Sequence, residues 1–261
     1  MVRYCGDSLK EKFMSRFFVR PEDISGGKIY ITDRGDIHHM KKVLRLAYGD
    51  EVDISDGAVW EYRARIEEIG ENQAVLTIVD KQKFAREPHI RITLFQGIPK
   101  AGKMEGIIQK SVELGVDKIV PVFMERTVVV DKGNFCKKLE RWQKISDEAV
   151  KQCKRGMIPQ IENSCRFEEA LTMLKDYDLI LFPYENEENT TIKDCLRGIT
   201  GSGESPETVA IIIGPEGGFS DREAVMLDGA GSRRVTLGKT ILRTETAGPA
   251  AIAMTMYELE L

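Results

Sequence analysis

No stretch of this 261-residue chain holds about eighteen consecutive apolar residues, so a membrane-spanning helix is not expected. The opening residues, MVRYCGDSLKEKFMSRFF, mix charges throughout and lack a continuous apolar centre, which argues against a secretory signal. The five cysteines (Cys5, Cys136, Cys153, Cys165, Cys195) are odd in number, scattered and free of any C-x-x-C pair. A disulfide framework and a structural zinc site are both disfavoured, and a reducing cytoplasm is expected. The histidines are only three, His38, His39 and His89, with no companion cluster of cysteines or carboxylates, so no metal is expected.

What is present is a globular composition, 42% hydrophobic and 31% charged, with room for two modest domains. The net charge of −4 is unevenly spread: residues 85–156 carry +6, against −1 before them and −9 after them. A basic middle section in an acidic chain points to a local polyanion footprint, since phosphate binding follows local charge.

Residues 1–84 read as β-rich: FFVR, KIYIT, DEVDIS, VWEYRARIEEI and QAVLTIVDK are short runs separated by Gly, Asp and Asn. One helical segment, HHMKKVLRL, interrupts them, and the spacing suits a small barrel. Lys41, Lys42 and Arg45 fit either a solvated helix face or a patch for nucleic-acid phosphates. A boundary falls near KFAREPH, where charges and Pro88 break the pattern. Beyond it, RITLFQGI reads as a strand, PKAGKMEGIIQKSVELGV as a loop feeding an amphipathic helix, and DKIVPVF as another strand. That order predicts a parallel sheet with right-handed crossovers. Residues 137–155 predict a long helix with Leu139, Trp142, Ile145, Ala149 and Cys153 on its core face. Lys137, Arg141, Lys144, Lys151 and Arg155 gather opposite, as a solvated or an RNA-facing stripe. IPQIEN, FEEALTMLK and DLILFPYE supply further α/β units, and residues 186–208 a short helix and a surface loop without assigned chemistry.

Residues 209–250 organise the rest. VAIIIG is a continuous apolar run, as expected for a strand buried on both faces. GPEGGF follows it, and Ser220 with Glu223 forms a capping box that opens the next helix. The glycines at 214, 217 and 218 let a ligand approach the backbone, or simply make a tight turn. The pattern is neither G-x-G-x-x-G nor a P-loop, which removes the usual dinucleotide and triphosphate readings. In LGKTILRTETAGPAA, Leu237 and Gly238 are expected to end a strand, and Ile241 and Leu242 are apolar residues in a loop. Arg243 and Glu245 follow, before an alanine-rich helix suited to close packing. Apolar loop residues beside an Arg-x-Glu pair suit an adenosine pocket with a polar reaction edge, or an ion pair fixing loop to helix.

IIIGPEGGFSDREA together with VTLGKTILRTETAGPAA resembles the cofactor-binding region of SPOUT-type methyltransferases. QGIPKAGKMEGIIQKSVELGV, ERTVVV and ERWQKISDEAVKQCKRGMIP resemble the branch that methylates N3 of a uridine in small-subunit (16S) ribosomal RNA. HHMKKVLRLAYGDEVDISDG resembles that branch's PUA-like RNA-binding barrel. The resemblance covers nearly the whole chain from Met14.

It implies an α/β fold with a C-terminal trefoil-knotted parallel-sheet methyltransferase domain over residues 85–261. A small N-terminal PUA-like β-barrel over residues 14–84 would precede it, with residues 1–13 as an extension. It implies S-adenosyl-L-methionine as cofactor, a homodimer, and 16S rRNA, within the small ribosomal subunit, as partner. The cofactor loops would be Phe182, Pro183 and Glu185; Ile213, Gly214, Glu216 and Gly217; and Leu237, Gly238, Ile241, Leu242 and Arg243. Lys41, Lys42, Arg45, Lys100, Lys103, Arg126, Lys151 and Arg155 would contact RNA. Cys153 departs from the serine expected in that stretch, beside Gln152 and Arg155. N3–H is a weak acid whose anion spreads onto two carbonyl oxygens, so catalysis calls for a nearby cation, Arg243 or Arg155. Glu245 is the candidate proton acceptor. A non-catalytic ribosome-assembly factor, or an enzyme of the same type acting on another RNA, are the competing readings.

Overall fold

The computed structural model describes residues 16–57, 59–83, 87–100, 102–131, 133, 135–201, 203 and 206–260. The expected extension, residues 1–13, and the expected domain boundary at 84/85 lie outside the described residues. Two compact units emerge. One comprises Met1–Arg86 with Lys154–Met157, the other Glu87–Cys153 with Ile158–Leu261.

The first unit is one six-stranded sheet: β1 (Arg16–Phe18), β2 (Ile24–Ser25), β3 (Lys28–Ile31), β4 (Glu51–Ser55), β5 (Trp60–Ile69) and β6 (Ala74–Lys83). The strand order is β1-β4-β5-β6-β3-β2, antiparallel except for the β1–β4 pair. Alternation of apolar and polar residues buries one face only. Phe17, Ile29, Ile31, Val52, Ile54, Ala64, Ile66 and Leu76 form a single core to which strands from both ends of the sheet contribute.

The helical segment expected over HHMKKVLRL starts earlier, at Arg34, ends at Val43 and is of mixed kind. Asp33 caps α1 (Arg34–His38) by accepting from the Asp36 N–H at 2.8 Å. The chain then widens, Leu44 N–H donating back to the His39 carbonyl, and Arg45 at φ +52° ends the turn. Lys42 and Arg45 are exposed and Lys41 is half-buried.

The second unit alternates strand and helix: β7 (Arg91–Gly97), α2 (Lys103–Glu113), β8 (Lys118–Phe123), α3 (Phe135–Cys153), β9 (Gln160–Ile161), β10 (Cys165–Arg166), α4 (Phe167–Met173), β11 (Leu179–Pro183), α5 (Ile192–Gly201), β12 (Thr208–Ile213), α6 (Asp221–Gly229), β13 (Arg233–Val235) and α7 (Thr244–Leu259). The sheet order is β10-β8-β7-β12-β11-β13, with β9 also on β8, and every pairing is parallel. Its central strands are buried almost continuously, so both faces carry helices. α2 packs against α3 and α7, α5 against α7, and α4 against α6. The chain order reverses between β7 and β12, where a doubly wound sheet opens a crevice at its carboxyl edge.

Two expectations need correction. α3 ends at Cys153, because Lys154 takes a left-handed conformation (φ +61°) that no α-helix continues. Arg155 therefore leaves the cationic stripe altogether. It is 8% exposed, in the Lys154–Met157 segment that belongs to the first unit. There Arg16 donates to the Lys154 carbonyl and Ser55 to that of Gly156. The last strand also ends early, at Val235, so Leu237 and Gly238 belong to the following loop.

Candidate active site

Three neighbouring strands, β12, β11 and β13, end on the same edge of the sheet, and the segments that follow them enclose a cavity of about 620 Å³. Pro183, Tyr184 and Glu185 come from the first segment, Ile213, Gly214 and Gly218 from the second, and Leu237 to Leu242 from the third. Thr244 and Ala247 on α7 close one side. That volume lies in the ordinary range for a small-molecule site.

The second segment is braced from every side. Gly218 at φ +68° donates its N–H to the Pro215 carbonyl at 2.9 Å, closing a tight turn. A Cβ on Gly218 would lie 2.9 Å from Glu185 Oε1, so only glycine lets that carboxylate pack there. The Arg126 guanidinium donates to the Gly217 carbonyl at 2.9 Å. Gln96 Nε2, buried at the end of β7, donates to Thr244 Oγ1 at 2.9 Å, and Thr244 donates in turn to the Gly214 carbonyl at 2.7 Å. The capping box holds: Ser220 accepts from Glu223 N–H, and Glu223 from Ser220 N–H.

Beneath this turn lies an ion triad. Lys103 Nζ stands 3.0 Å from Glu216 Oε1 and 3.2 Å from Glu245 Oε2, and Glu216 also accepts the Lys100 N–H at 3.0 Å. The contact with Glu245 is Coulombic, since Oε2 is buried and accepts no aligned hydrogen bond. The hydrogen bond to Glu216 first, and the charge of Glu245 as well, raise Lys103 above its ordinary value against partial desolvation. Burial pushes Glu216 up, but Lys103 and the N–H groups of Glu216 and Lys100 together outweigh it and leave the carboxyl below the usual range. Glu245 is lowered by the N–H at its own position on the first turn of α7, then by Lys103 and Arg243.

Among the described residues, the third segment is hydrogen-bonded at its base, where Thr236 N–H donates to the Thr190 carbonyl at 2.8 Å and Gly238 N–H to Thr236 Oγ1 at 3.3 Å. Among the described residues, nothing accepts the N–H groups of Lys239, Thr240, Ile241 or Leu242. Ile241 is 77% exposed and Arg243, which precedes the first residue of α7, is also exposed.

Of the expected cofactor contacts, Pro183, Glu185, Ile213, Gly214, Leu237, Gly238, Ile241 and Leu242 line the cavity. Phe182 is fully buried, edge-on to Phe219 at 4.7 Å. Glu216 faces Lys103, Gly217 faces Arg126, and Arg243 does not line the cavity. Sequence reasoning missed Tyr184, Phe219, Thr236 and Thr244, which carry no local signal, whereas Gly218 was marked as one of a glycine run that a ligand could approach. Among the cations expected at RNA, Lys100, Arg126 and Lys151 are exposed, Lys103 is half-buried in the triad and Arg155 is buried. Among the described residues no group of three or more His, Cys, Asp or Glu could hold a metal ion, and no helix is long and apolar enough to cross a membrane.

The donor set fits an adenosine-bearing ligand. Phe219, Ile213, Leu242 and Ala247 offer apolar surface for a base, the unpaired N–H groups of the third segment its polar edge, and Glu185 and Glu188 a counter-charge for a cationic end.

Comparison with known proteins agrees in both units. Residues 86–256 match the model of an RNA methyltransferase domain, and residues 31–79 that of an RNA methyltransferase PUA domain. The chain is 31% identical over 253 residues to the ribosomal RNA small subunit methyltransferase E of Buchnera aphidicola subsp. Acyrthosiphon pisum, covering 95% of each. Against the protein of that name from Bacillus subtilis it is 29% identical, covering 95% of this chain and 98% of the relative. A crystal structure of the Neisseria gonorrhoeae protein of that name, bound to S-adenosyl methionine, superposes with a TM-score of 0.79 at 32% identity, over 94% of this chain and 97% of that one.

Proposed function

Because this chain belongs to the RNA methyltransferase family, we propose that it transfers the methyl group of S-adenosylmethionine to N3 of a uridine in small-subunit (16S) ribosomal RNA. The observation that carries this reading is the three-segment cavity at the carboxyl ends of β11, β12 and β13. S-adenosylmethionine, when bound, supplies the electrophilic methyl group. Ile213, Phe219, Leu242 and Ala247 would hold the adenosine, and the backbone N–H groups of residues 239–242 would meet its polar edge.

The chain's own part is to orient the target base and favour loss of its N3 proton. Arg243, exposed just before α7, is the cation assigned to the charge that develops on the uracil oxygens. Arg155, buried in the other unit's segment, drops behind it as a candidate. Glu245 changes role. A carboxylate held below its usual value beside Lys103 is a weaker proton acceptor than a free glutamate, so it anchors the triad and the proton leaves to solvent.

The target base leaves its stack to reach the methyl group. The exposed cations Lys42 and Arg45 of the first unit, and Lys100, Arg126 and Lys151 of the second, meet RNA phosphates. The same reading carries a trefoil-knotted path for the C-terminal segment, a cytoplasmic site of action on the small subunit and a homodimer. The exposed apolar side chains Met254 and Tyr257 on α7 offer a surface for the second copy.

Labelled cofactor offered to 16S RNA and to small subunits lacking the modification, followed by mapping of the methylated nucleotide, tests the proposal. Label on uracil N3 is expected. Label on carbon 5 or a ribose hydroxyl would overturn the specificity, and failure to bind S-adenosylmethionine in calorimetry would favour a non-catalytic scaffold.

A further inference from the structure

We propose that Lys103 is a positioning residue that ties two walls of the cofactor cavity together, and not a contact for RNA phosphate; this deepens the methyltransferase reading and rests on it. Lys103 is the first residue of α2, set there by Gly102, whose φ of +85° turns the chain into the helix. A cation at a helix N-terminus opposes the positive end of the helix dipole, so the position is favourable only with carboxylates around it.

Two carboxylates are there, from distant parts of the chain. Glu216 lies in the turn after β12, two residues from both Gly214 and Gly218 of the cavity wall. Glu245 is the second residue of α7, directly after the third segment and next to Thr244 of the cavity wall. One ammonium group thus joins the start of α2, the braced turn and the end of the open segment. The side chains of Lys103, Glu216 and Glu245 are 32%, 24% and 27% exposed, so solvent screens the triad only in part. An RNA phosphate at Lys103 would have to displace both carboxylates and leave them facing one another. Glu245 Oε2, buried without an aligned hydrogen bond, has Lys103 as its counter-charge.

The test is steady-state methylation by the full-length protein, with Lys103→Met and Lys103→Arg beside wild type, varying S-adenosylmethionine and small subunits in turn. Lys103→Met is expected to raise the KM for S-adenosylmethionine about fivefold while the KM for subunits and its salt dependence stay as in wild type. Lys103→Arg is expected to restore most of the loss. A raised KM for subunits with a shallower salt slope, and an unchanged KM for the cofactor, would make Lys103 a phosphate contact and overturn the proposal. An equal loss in both, unrescued by arginine, would reduce it to general destabilisation and overturn it too.

Thermal unfolding of Lys103→Met, Glu216→Gln and the double variant reads the bridge without any turnover. Non-additive losses support it and additive ones refute it. A wild-type chain that transfers no methyl group while the cycle is non-additive would refute the function and leave the bridge standing.

Discussion

The turn after β12 and the segment after β13 bound the same cavity, yet they are built in opposite ways. Residues 214–218 are held by Thr244, Arg126, Lys103, the Lys100 N–H and their own Pro215–Gly218 turn. Residues 239–242 leave four consecutive N–H groups without a partner among the described residues, and Ile241 stands in solvent. A braced wall fixes where a ligand sits, and its hydrogen bonds are formed before the ligand arrives. An open wall keeps its donors for the ligand. Substitutions in the braced wall should therefore damage the free protein, and substitutions in the open wall only binding and turnover.

The largest effect is expected at the end of the open segment. Arg243→Ala should lower kcat roughly a hundredfold to a thousandfold, with a melting temperature as in wild type. Arg155→Ala should lower it much less, and the reverse ranking in a transfer assay would exchange their roles.

Next comes the support of the braced turn. A Cβ on Gly97 would lie 2.6 Å from the Pro215 nitrogen, so Gly97→Ala should cost about 2–3 kcal/mol in denaturant unfolding as well as weaken cofactor binding. Thr244→Val removes the hydroxyl between Gln96 and the Gly214 carbonyl and should cost about 1–3 kcal/mol by the same measurement.

Ile241→Ala should leave unfolding within about 0.5 kcal/mol of wild type and still raise the calorimetric Kd for S-adenosylmethionine a few-fold. A fall in melting temperature at Ile241, or none at Thr244, would break the contrast between the walls.

The smallest effect is one of pH. The Glu216 carboxyl lies below its usual value when folded, so its contribution to stability is complete above the ordinary glutamate range near pH ~4.3 and is lost as pH falls through the folded value. Melting curves of wild type and Glu216→Gln should be separated at pH 7 and converge towards pH 3. A constant gap would show that the triad does not stabilise the fold.

The architecture was largely legible in the sequence because its signals are local. Uninterrupted apolar runs marked the buried parallel strands VAIIIG and DLILF, and alternation marked the one-sided sheet of the first unit. Ser220 and Glu223 announced their helix three residues apart. The site was legible where glycine or a misplaced apolar residue stood out, as at Gly214 and Ile241. It was not legible where a contact joins residues far apart in the chain. Lys103 looks like any solvated cation until Glu216 and Glu245 are folded against it, and Thr244 has no pattern that reveals its place between Gln96 and Gly214. Phe182 and Arg155 misled for the same reason. Resemblance of segment says nothing of which way a side chain turns, and both turn inward.

Hydrogen exchange of the backbone amides, with and without S-adenosylmethionine, tests the account most directly. Amides 239–242 should exchange freely in the unliganded protein and gain strong protection on binding, while Gly218 is protected in both states. Protection of 239–242 before ligand is added, or a gain on binding confined to segments outside the cavity, would contradict it.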